Sequence, residues 1–476
     1  MKEKYLDTYF FDSSLALKIA LKKNKAETRN PNVKGLQICY YNGEKLPDAP
    51  RNCIHLPLED IYSYFTTSNN RFPEFIAYNN SGFTENEQKT FNTSLHEILN
   101  LSISANHILV EKLKKKIKKN KPNFSDKQLR VFIPACRETV VMQHISKSIA
   151  KSFKDMGYNV KYCIQKSSME SCGALHSLKK LYKFNPHITV NINHLNNDYL
   201  HDDVFNVVWF QDPMESLKDK SQLHVRKKDY LLHLTQRVAD MLAKKNVKSI
   251  YQPFSIDTSL YKNRKSILRE NKIVFIGSSY KLTYDGITNH HKEELLEILK
   301  NEFFKNGIVP ISFREALERR YNIDTTSLNH ILNYITRDLA LIHISNIDLN
   351  YKFEVYGYGW NEYPQLEKYY KGTLSYGKEL SKVYNGAKYS LCIGGYVLQQ
   401  RTLESAASGC IPLVLDSRKI AASKNELYFE NSLLFFRKLD EIKDIIKKDK
   451  KVDLKYLVKR HTYKHLVKKI TQLTNI

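Results

Sequence analysis

From Leu129 onward the sequence alternates short, almost wholly apolar runs with longer stretches whose apolar residues recur every three or four positions. "LRVFIPA" leads into "RETVVMQHISKSIAKSFKDMG", and "YNVKYCI" follows. Val141, Ile145, Ile149 and Phe153 fall on one helical stripe, and Gly157 stands where a helix end wants a left-handed residue. The unit reads as strand, helix, strand. Further strands are expected at 187–192, 204–210, 230–235 and 249–254, each largely apolar, as strands covered on both faces must be.

A second series opens at "NKIVFIGSS" (271–279) and passes through the helical stretches "KEELLEILKNEFF" and "LNHILNYITRDLALIHI". It continues with "YKFEVYGYGW" (351–360), the helix "GKELSKVYNGA", the strand "YSLCIGG", a short helix from Gln399 and the strand "IPLVLD". Strands alternating with helices predict parallel sheets, two of them here. At 476 residues the chain exceeds one core, and roughly two to four domains are expected. The expected division is an N-terminal accessory region over 1–125, a first Rossmann-like domain over 129–262, a second over 263–436, and C-terminal helices over 437–476 packing across the domains. The first region has apolar runs broken by Asn, Pro and Gly. It ends in the lysine run Lys112 to Lys121, read as a solvated helix end and linker, or as a phosphate or lipid contact.

Lys and Arg total 75 against 50 acidic residues, a formal charge of +25. That balance favours phosphate-bearing partners or an anionic membrane surface, although a Lys- and Asn-rich genome would produce much of it unaided. Basic residues are spread along the chain and aromatics lie in apolar strands, which argues against a nucleic-acid-binding protein. The seven cysteines form no C-x-x-C pair and no zinc spacing, and are read as reduced thiols. No leader pattern opens the chain and no run of about 18 apolar residues occurs. A cytoplasmic location is expected, with peripheral membrane contact still open.

In open α/β sheets ligands bind beyond the carboxyl ends of the strands. The candidates there are Arg137 and Glu138, then His194, then Asp212. A carboxylate or imidazole so placed can act as general base on an acceptor hydroxyl. Equally, Asp212 can cap the turn before Pro213, His194 can be structural, and Glu138 can sit in the first helical turn as a favourable dipole charge. After the strand at 271, Gly277, Ser278 and Ser279 offer backbone N–H groups and hydroxyls for a diphosphate, or form an ordinary tight turn. Tyr358 or Trp360 can border a nucleobase or serve as hinge and core. Arg401 and Glu404 lie one turn apart on a helix whose small face, Ala406, Ala407 and Ser408, stops at Gly409 and turns into an apolar strand. On such a tightly packed helix the guanidinium favours phosphate, and the carboxylate can accept two hydrogen bonds from a ribose diol.

These residues together resemble the GT-B glycosyltransferases, in particular the CgeB-like, family-1-type branch. "RTLESAASGCIPLVLD" is similar to its R-x-x-E-x-x-A-x-G-x-x-P-L-V block, "VVWFQDP" to its W-x-x-D-P strand end, and "PACRETVVMQHISKSIAKSFKDMGYNV" to its first strand–helix–strand unit. "YQPFSIDTSLY" before "KIVFIGS" is similar to its interdomain crossing. The resemblance spans roughly 129–436 and leaves the first 125 or so residues unmatched. It implies an α/β, GT-B type fold and transfer of a sugar from a nucleotide-diphosphate donor to an unidentified acceptor, a surface glycan, lipid-linked glycan or protein. No cofactor or metal is implied beyond the donor. By position Glu404 would hold the ribose, Arg401 the diphosphate, and Gly277 and Ser278 the phosphate loop. Asp212 is the leading base and Glu138 the second. Retaining members commonly carry a Glu eight residues before the second Glu, where this chain has Tyr396, so the stereochemistry stays open. A nucleotide-sugar epimerase of the same architecture and a related binding protein without catalysis remain alternatives.

Overall fold

The computed structural model describes residues 8–27, 38–77, 84–139, 141–167, 170–218, 223–394, 398–418, 429 and 431–475. Tyr396 lies outside them. Three sheets form, with parallel pairing in each. The first contains β1 (Thr8–Phe11), β2 (Ile38–Tyr41), β3 (Cys53–His55) and β4 (Phe75–Ala77), in the order β3-β2-β1-β4. The second contains β5 (Arg130–Pro134), β6 (Asn159–Cys163), β7 (Ile188–Ile192), β8 (Phe205–Phe210), β9 (Asp229–His233) and β10 (Ile250–Tyr251), in the order β10-β9-β8-β7-β5-β6. The third contains β11 (Glu270–Ile276), β12 (Lys352–Tyr356), β13 (Ala387–Cys392), β14 (Ile411–Leu415) and β15 (Leu434–Phe436), in the order β12-β11-β13-β14-β15. Two compact units divide the chain: Met1–Trp209 with His224–Leu231, and Phe210–Leu223 with Leu232–Ile476.

The sheet built by β1 to β4 was not anticipated. Its strands are only three or four residues long, too short for a periodic signal to rise above the Asn, Pro and Gly around them. What holds it is a cluster of Phe10, Ile38, Tyr40, Ile61, Phe65 and Leu95, residues far apart in the chain. Leu95 belongs to a helix of 35 residues, Glu85–Lys119, which absorbs most of the lysine run. Thr84 opens it with a capping box to Glu87.

In the helix Met142–Asp155 the stripe Ile145, Ile149 and Phe153 is buried, as the spacing requires. Gly157 takes φ +91°, the left-handed residue predicted after the helix. Val141 departs from the stripe: it precedes the first turn and is 36% exposed. The helix therefore begins five residues after Arg137, and Glu138 lies in the connecting loop rather than in a helical first turn. No helix among the described residues is long and apolar enough to cross a membrane.

The stretch around Asp338 contains a π-turn, Ile335–Leu339, between the helices Thr325–Tyr334 and Ala340–Ser345. A π-turn inserts one extra residue into the helical ladder and re-aims the side chains beyond it. Here Asp338 is turned inward, to 0% exposure.

Candidate functional site

The strand order reverses between β11 and β13, where β11 has β12 on its other side. In a doubly wound sheet the loops leaving such a pair diverge and open a crevice at the carboxyl ends. The loop after β11 is Gly277–Tyr280, and the segment after β13 leads into the helix Gln400–Ala407. Topology thus brings Gly277, Ser278 and Ser279 to the same end of neighbouring strands as Arg401 and Glu404.

Every residue of that helix except Arg401 is buried, and Glu404 is 0% exposed. Small residues allow this: Ser405, Ala406 and Ala407 let the helix lie close on its sheet, and Gly409, at φ +79°, ends it where a Cβ would stand 2.6 Å from Asn263. Arg401 Nη1 donates to Glu404 Oε2 at 2.7 Å, with the Arg401 side chain 31% exposed. Burial alone would push the guanidinium down, but the charge of Glu404 and the nearby Tyr384 and Tyr261 hold it above its ordinary value. Burial, with the Glu404 charge contributing, pushes the hydroxyls of Tyr261, Tyr376, Tyr384 and Tyr463 up. These four tyrosines are within electrostatic reach of the carboxylate, and none is close to it in sequence. Glu404 Oε1, Gln400 Oε1 and Tyr463 Oη are buried without a hydrogen-bond partner among the described residues. Buried polar atoms are nearly always satisfied, so such a group marks a place for a ligand or water.

The β11 loop is held from beneath. Gly277 N–H donates to the Tyr356 carbonyl at 2.9 Å, Ser279 N–H to the Tyr358 carbonyl at 2.9 Å, and Trp360 Nε1 to the Gly277 carbonyl at 2.6 Å. Trp360 is 0% exposed and packs edge-on against Phe275, so it supports the loop from the core rather than bordering a base. Asp338 accepts from the Ser279 hydroxyl, from Tyr280 N–H at 3.0 Å and from the Tyr363 hydroxyl at 2.7 Å. Much of the donor capacity predicted for a diphosphate is therefore spent inside the loop. Arg337, missed in the sequence, donates to the Ser278 carbonyl at 3.0 Å and lies over the Tyr280 ring at 4.3 Å. Its place was hidden because it depends on the π-turn. Tyr358 is 51% exposed between two positive-φ glycines, Gly357 and Gly359.

Gly357 allows the close approach of β12's exit to the β11 loop. It takes φ +135°, and a Cβ there would stand 2.2 Å from the Gly277 carbonyl oxygen. Gly357→Ala is expected to cost at least about 1–3 kcal/mol, measured by urea denaturation.

The second sheet reverses order between β5 and β7. Arg137 and Glu138 follow β5, and His194 follows β7, so both predicted positions are at that switch point. Arg137 is committed locally: its Nε donates to the Gln165 carbonyl at 3.0 Å and its Nη2 to the Lys166 carbonyl at 3.1 Å. Glu138 pairs with Arg71, a residue the sequence reading did not single out. His194 is exposed. Asp212, two residues beyond β8, is exposed too, its carbonyl accepting from Met214 N–H at 2.9 Å in a turn.

The reading of all seven cysteines as reduced thiols is corrected. Cys136 and Cys172 form a disulfide across 36 positions, their Cα atoms 5.8 Å apart. The spacing carried no signal because the bond joins the loops after two neighbouring strands, β5 and β6. Cys39, Cys53, Cys163, Cys392 and Cys410 are buried and not disulfide-bonded. The ligand atoms of Cys136, Glu138 and Cys172 lie within 4.8 Å of one another, close enough for a metal. In this structure the two sulfurs are bonded to each other and the carboxylate is paired with Arg71.

Parallel α/β sheets with candidate groups gathered at their switch points define the class: a doubly wound, GT-B type architecture with an added N-terminal sheet. Residues 337–472, the part that contains Asp338, Arg401 and Glu404, match the family described as glycosyl transferase-like. Residues 337–472 are thus similar to the glycosyltransferase-like proteins, and the sheets have the α/β organisation of GT-B type. No curated protein matches it. Among solved structures, TarM is similar at 11% identity over 58% of this chain and 55% of its own, with a TM-score of 0.32. SnogD, a glycosyltransferase from Streptomyces nogalater, is similar at 9% identity over 73% of this chain and 100% of its own, TM-score 0.34. An O-GlcNAc transferase variant from Thermobaculum terrenum is similar at 12% over 82% and 77%, TM-score 0.33. The chain spans about half the length of TarM. At these TM-scores the superpositions carry no argument.

Proposed function

We propose that this protein transfers a sugar from a nucleotide-diphosphate donor to an acceptor hydroxyl or amine, as a member of the CgeB-like branch. The observation that carries the reading is the Arg401–Glu404 pair at a switch point, with Glu404 buried and one of its carboxylate oxygens lacking a partner among the described residues. That oxygen is the acceptor a ribose hydroxyl would need, and Arg401, the partly exposed member, would meet the diphosphate. A leaving nucleoside diphosphate gains charge as the glycosidic bond breaks; Arg401, Arg337 and the start of the helix Gln400–Ala407 are positive groups suited to stabilise it without a metal. Asp212 remains the leading general base because it is exposed and follows a strand end, whereas Glu138 is already neutralised by Arg71. The acceptor is a glycan, a lipid-linked glycan or a protein; a lipid-linked one would bring the chain to the inner face of the membrane.

A panel of UDP-, GDP-, dTDP- and CMP-sugars, read by thermal unfolding, tests this. A true donor at a hundred times its dissociation constant is expected to add about 2.7 kcal/mol of stability, and Glu404→Gln should remove that gain. A panel without any stabilising member, or a gain retained by Glu404→Gln, would overturn the assignment.

A further inference from the structure

Three segments of the first unit meet at one junction. Cys136, Arg137 and Glu138 follow β5, Gln165, Lys166 and then Glu170, Ser171 and Cys172 follow β6, and Asn69 to Arg71 come from the N-terminal region just after the helix Leu58–Thr67. Ser171 N–H donates to the Asn69 carbonyl at 2.8 Å and Asn69 Nδ2 donates back to the Ser171 carbonyl at 2.8 Å. Asn70 and Glu170 form an antiparallel bridge. Arg71 pairs with Glu138 while its own carbonyl accepts from the buried Tyr40 hydroxyl at 2.7 Å, which ties it to the core of the first sheet. The two strand-end loops are joined to each other by Arg137 on Gln165 and Lys166, and covalently by Cys136–Cys172.

We propose that the Cys136–Cys172 disulfide is a thiol-exchangeable latch. When closed it holds the β5 and β6 loops and the Asn69–Arg71 segment together; when reduced it frees the loop that presents Arg137 and Glu138. Location selects this bond for chemistry. Cys136 and Cys172 are half-buried at loop positions, whereas the five other cysteines are buried inside sheets or against them. Thiol–disulfide exchange requires a sulfur that an attacking thiolate can reach. A dithiol reductant supplies both electrons: its first thiolate attacks one sulfur and expels the other as a thiolate. Its second thiol then resolves the mixed disulfide, leaving two cysteine thiols and a cyclic disulfide of the reductant. Hydrogen bonds, a strand bridge and an ion pair converge on the closed junction, so opening the covalent bond loosens all three segments together. Any effect on catalysis rests on the sugar-transfer reading; the latch itself does not.

The full chain, purified without reductant, is digested under non-reducing conditions and mapped; a peptide pair linked through Cys136 and Cys172 is expected. After treatment with a dithiol, alkylation should mark Cys136 and Cys172 and spare the five buried thiols. Amide exchange in peptides carrying Asn70, Glu138 and Ser171 should then quicken together, by roughly tenfold or more. Cys136→Ser should show the fast exchange without reductant and no further response to it. Absence of the linked peptide, or exchange unchanged on reduction, would overturn the proposal. Neither readout uses a nucleotide or an acceptor, so the latch and the proposed activity fail separately.

Discussion

Arg401→Ala is expected to lose nearly all turnover and, with it, about 3–5 kcal/mol of folding stability. On the sequence alone, loss of activity with the fold intact is the expected result, because Arg401 is assigned there to the diphosphate rather than to the core. The structure changes that. Glu404 is 0% exposed, its Oε2 takes the 2.7 Å bond from Arg401, and its other oxygen has no donor among the described residues. Removing the guanidinium leaves a buried carboxylate without its ion-pair partner. The cost should fall toward the lower end of the range because Arg401 is itself 31% exposed. A paired replacement separates the two roles. Arg401→Met with Glu404→Leu removes both charges and fills similar volume, a change that is often neutral or stabilising for a buried pair. Urea denaturation should show stability recovered to near the unaltered chain, while donor-induced stabilisation stays absent. If Arg401→Ala retains both stability and turnover, the pair is neither a buried ion pair of consequence nor part of the site.

Asp338→Ala should be comparably damaging, by about 3–5 kcal/mol, although Asp338 is not assigned to the donor. One carboxylate serves the Ser279 hydroxyl, the Tyr280 amide and the Tyr363 hydroxyl, and each donor left unsatisfied in the interior costs about 1–3 kcal/mol. The β11 loop should loosen as a consequence, which a fall in donor affinity would report. Asp338→Asn keeps the shape and one acceptor oxygen and should lose less. The two also differ in pH dependence. Burial pushes the Asp338 carboxyl above its ordinary value, against the pull of its hydrogen bonds. The folded chain therefore holds that proton more tightly than the unfolded one. The stabilisation this provides is present at acid pH and is lost as pH rises from the ordinary aspartate value through the raised one. Asp338→Asn has no such proton and should show a flatter stability profile across that window. An identical slope for both proteins would remove Asp338 titration as its source.

Much of the second and third sheets was legible because their signals are short-range. An apolar run, a glycine after it and a stripe at helical spacing are complete within about ten residues; the runs at 187–192, 204–210 and 271–279 all became strands on that account. The arginine–glutamate block was legible for the same reason, since its spacing and its stop at Gly409 are local. The π-turn was not, because the apolar spacing around Asp338 suits an ordinary helix and only its distant partners Ser279 and Tyr363 reward the extra residue. The first sheet was missed because each strand is too brief to show a period.

By itself, then, the order of residues determined which segments would be strands or helices and which side chains would stand at strand ends. Tertiary structure alone decided which strands are neighbours, and so where the order reverses. It also decided that Glu404 would be buried within electrostatic reach of Tyr261, Tyr376, Tyr384 and Tyr463, that Arg71 would reach Glu138 across 67 positions, and that Cys136 would meet Cys172. The physical reason is one of range. Backbone preference and periodicity act between residues a few places apart, whereas burial, charge pairing and disulfide bonding depend on distances in space that exist only once the sheets have formed.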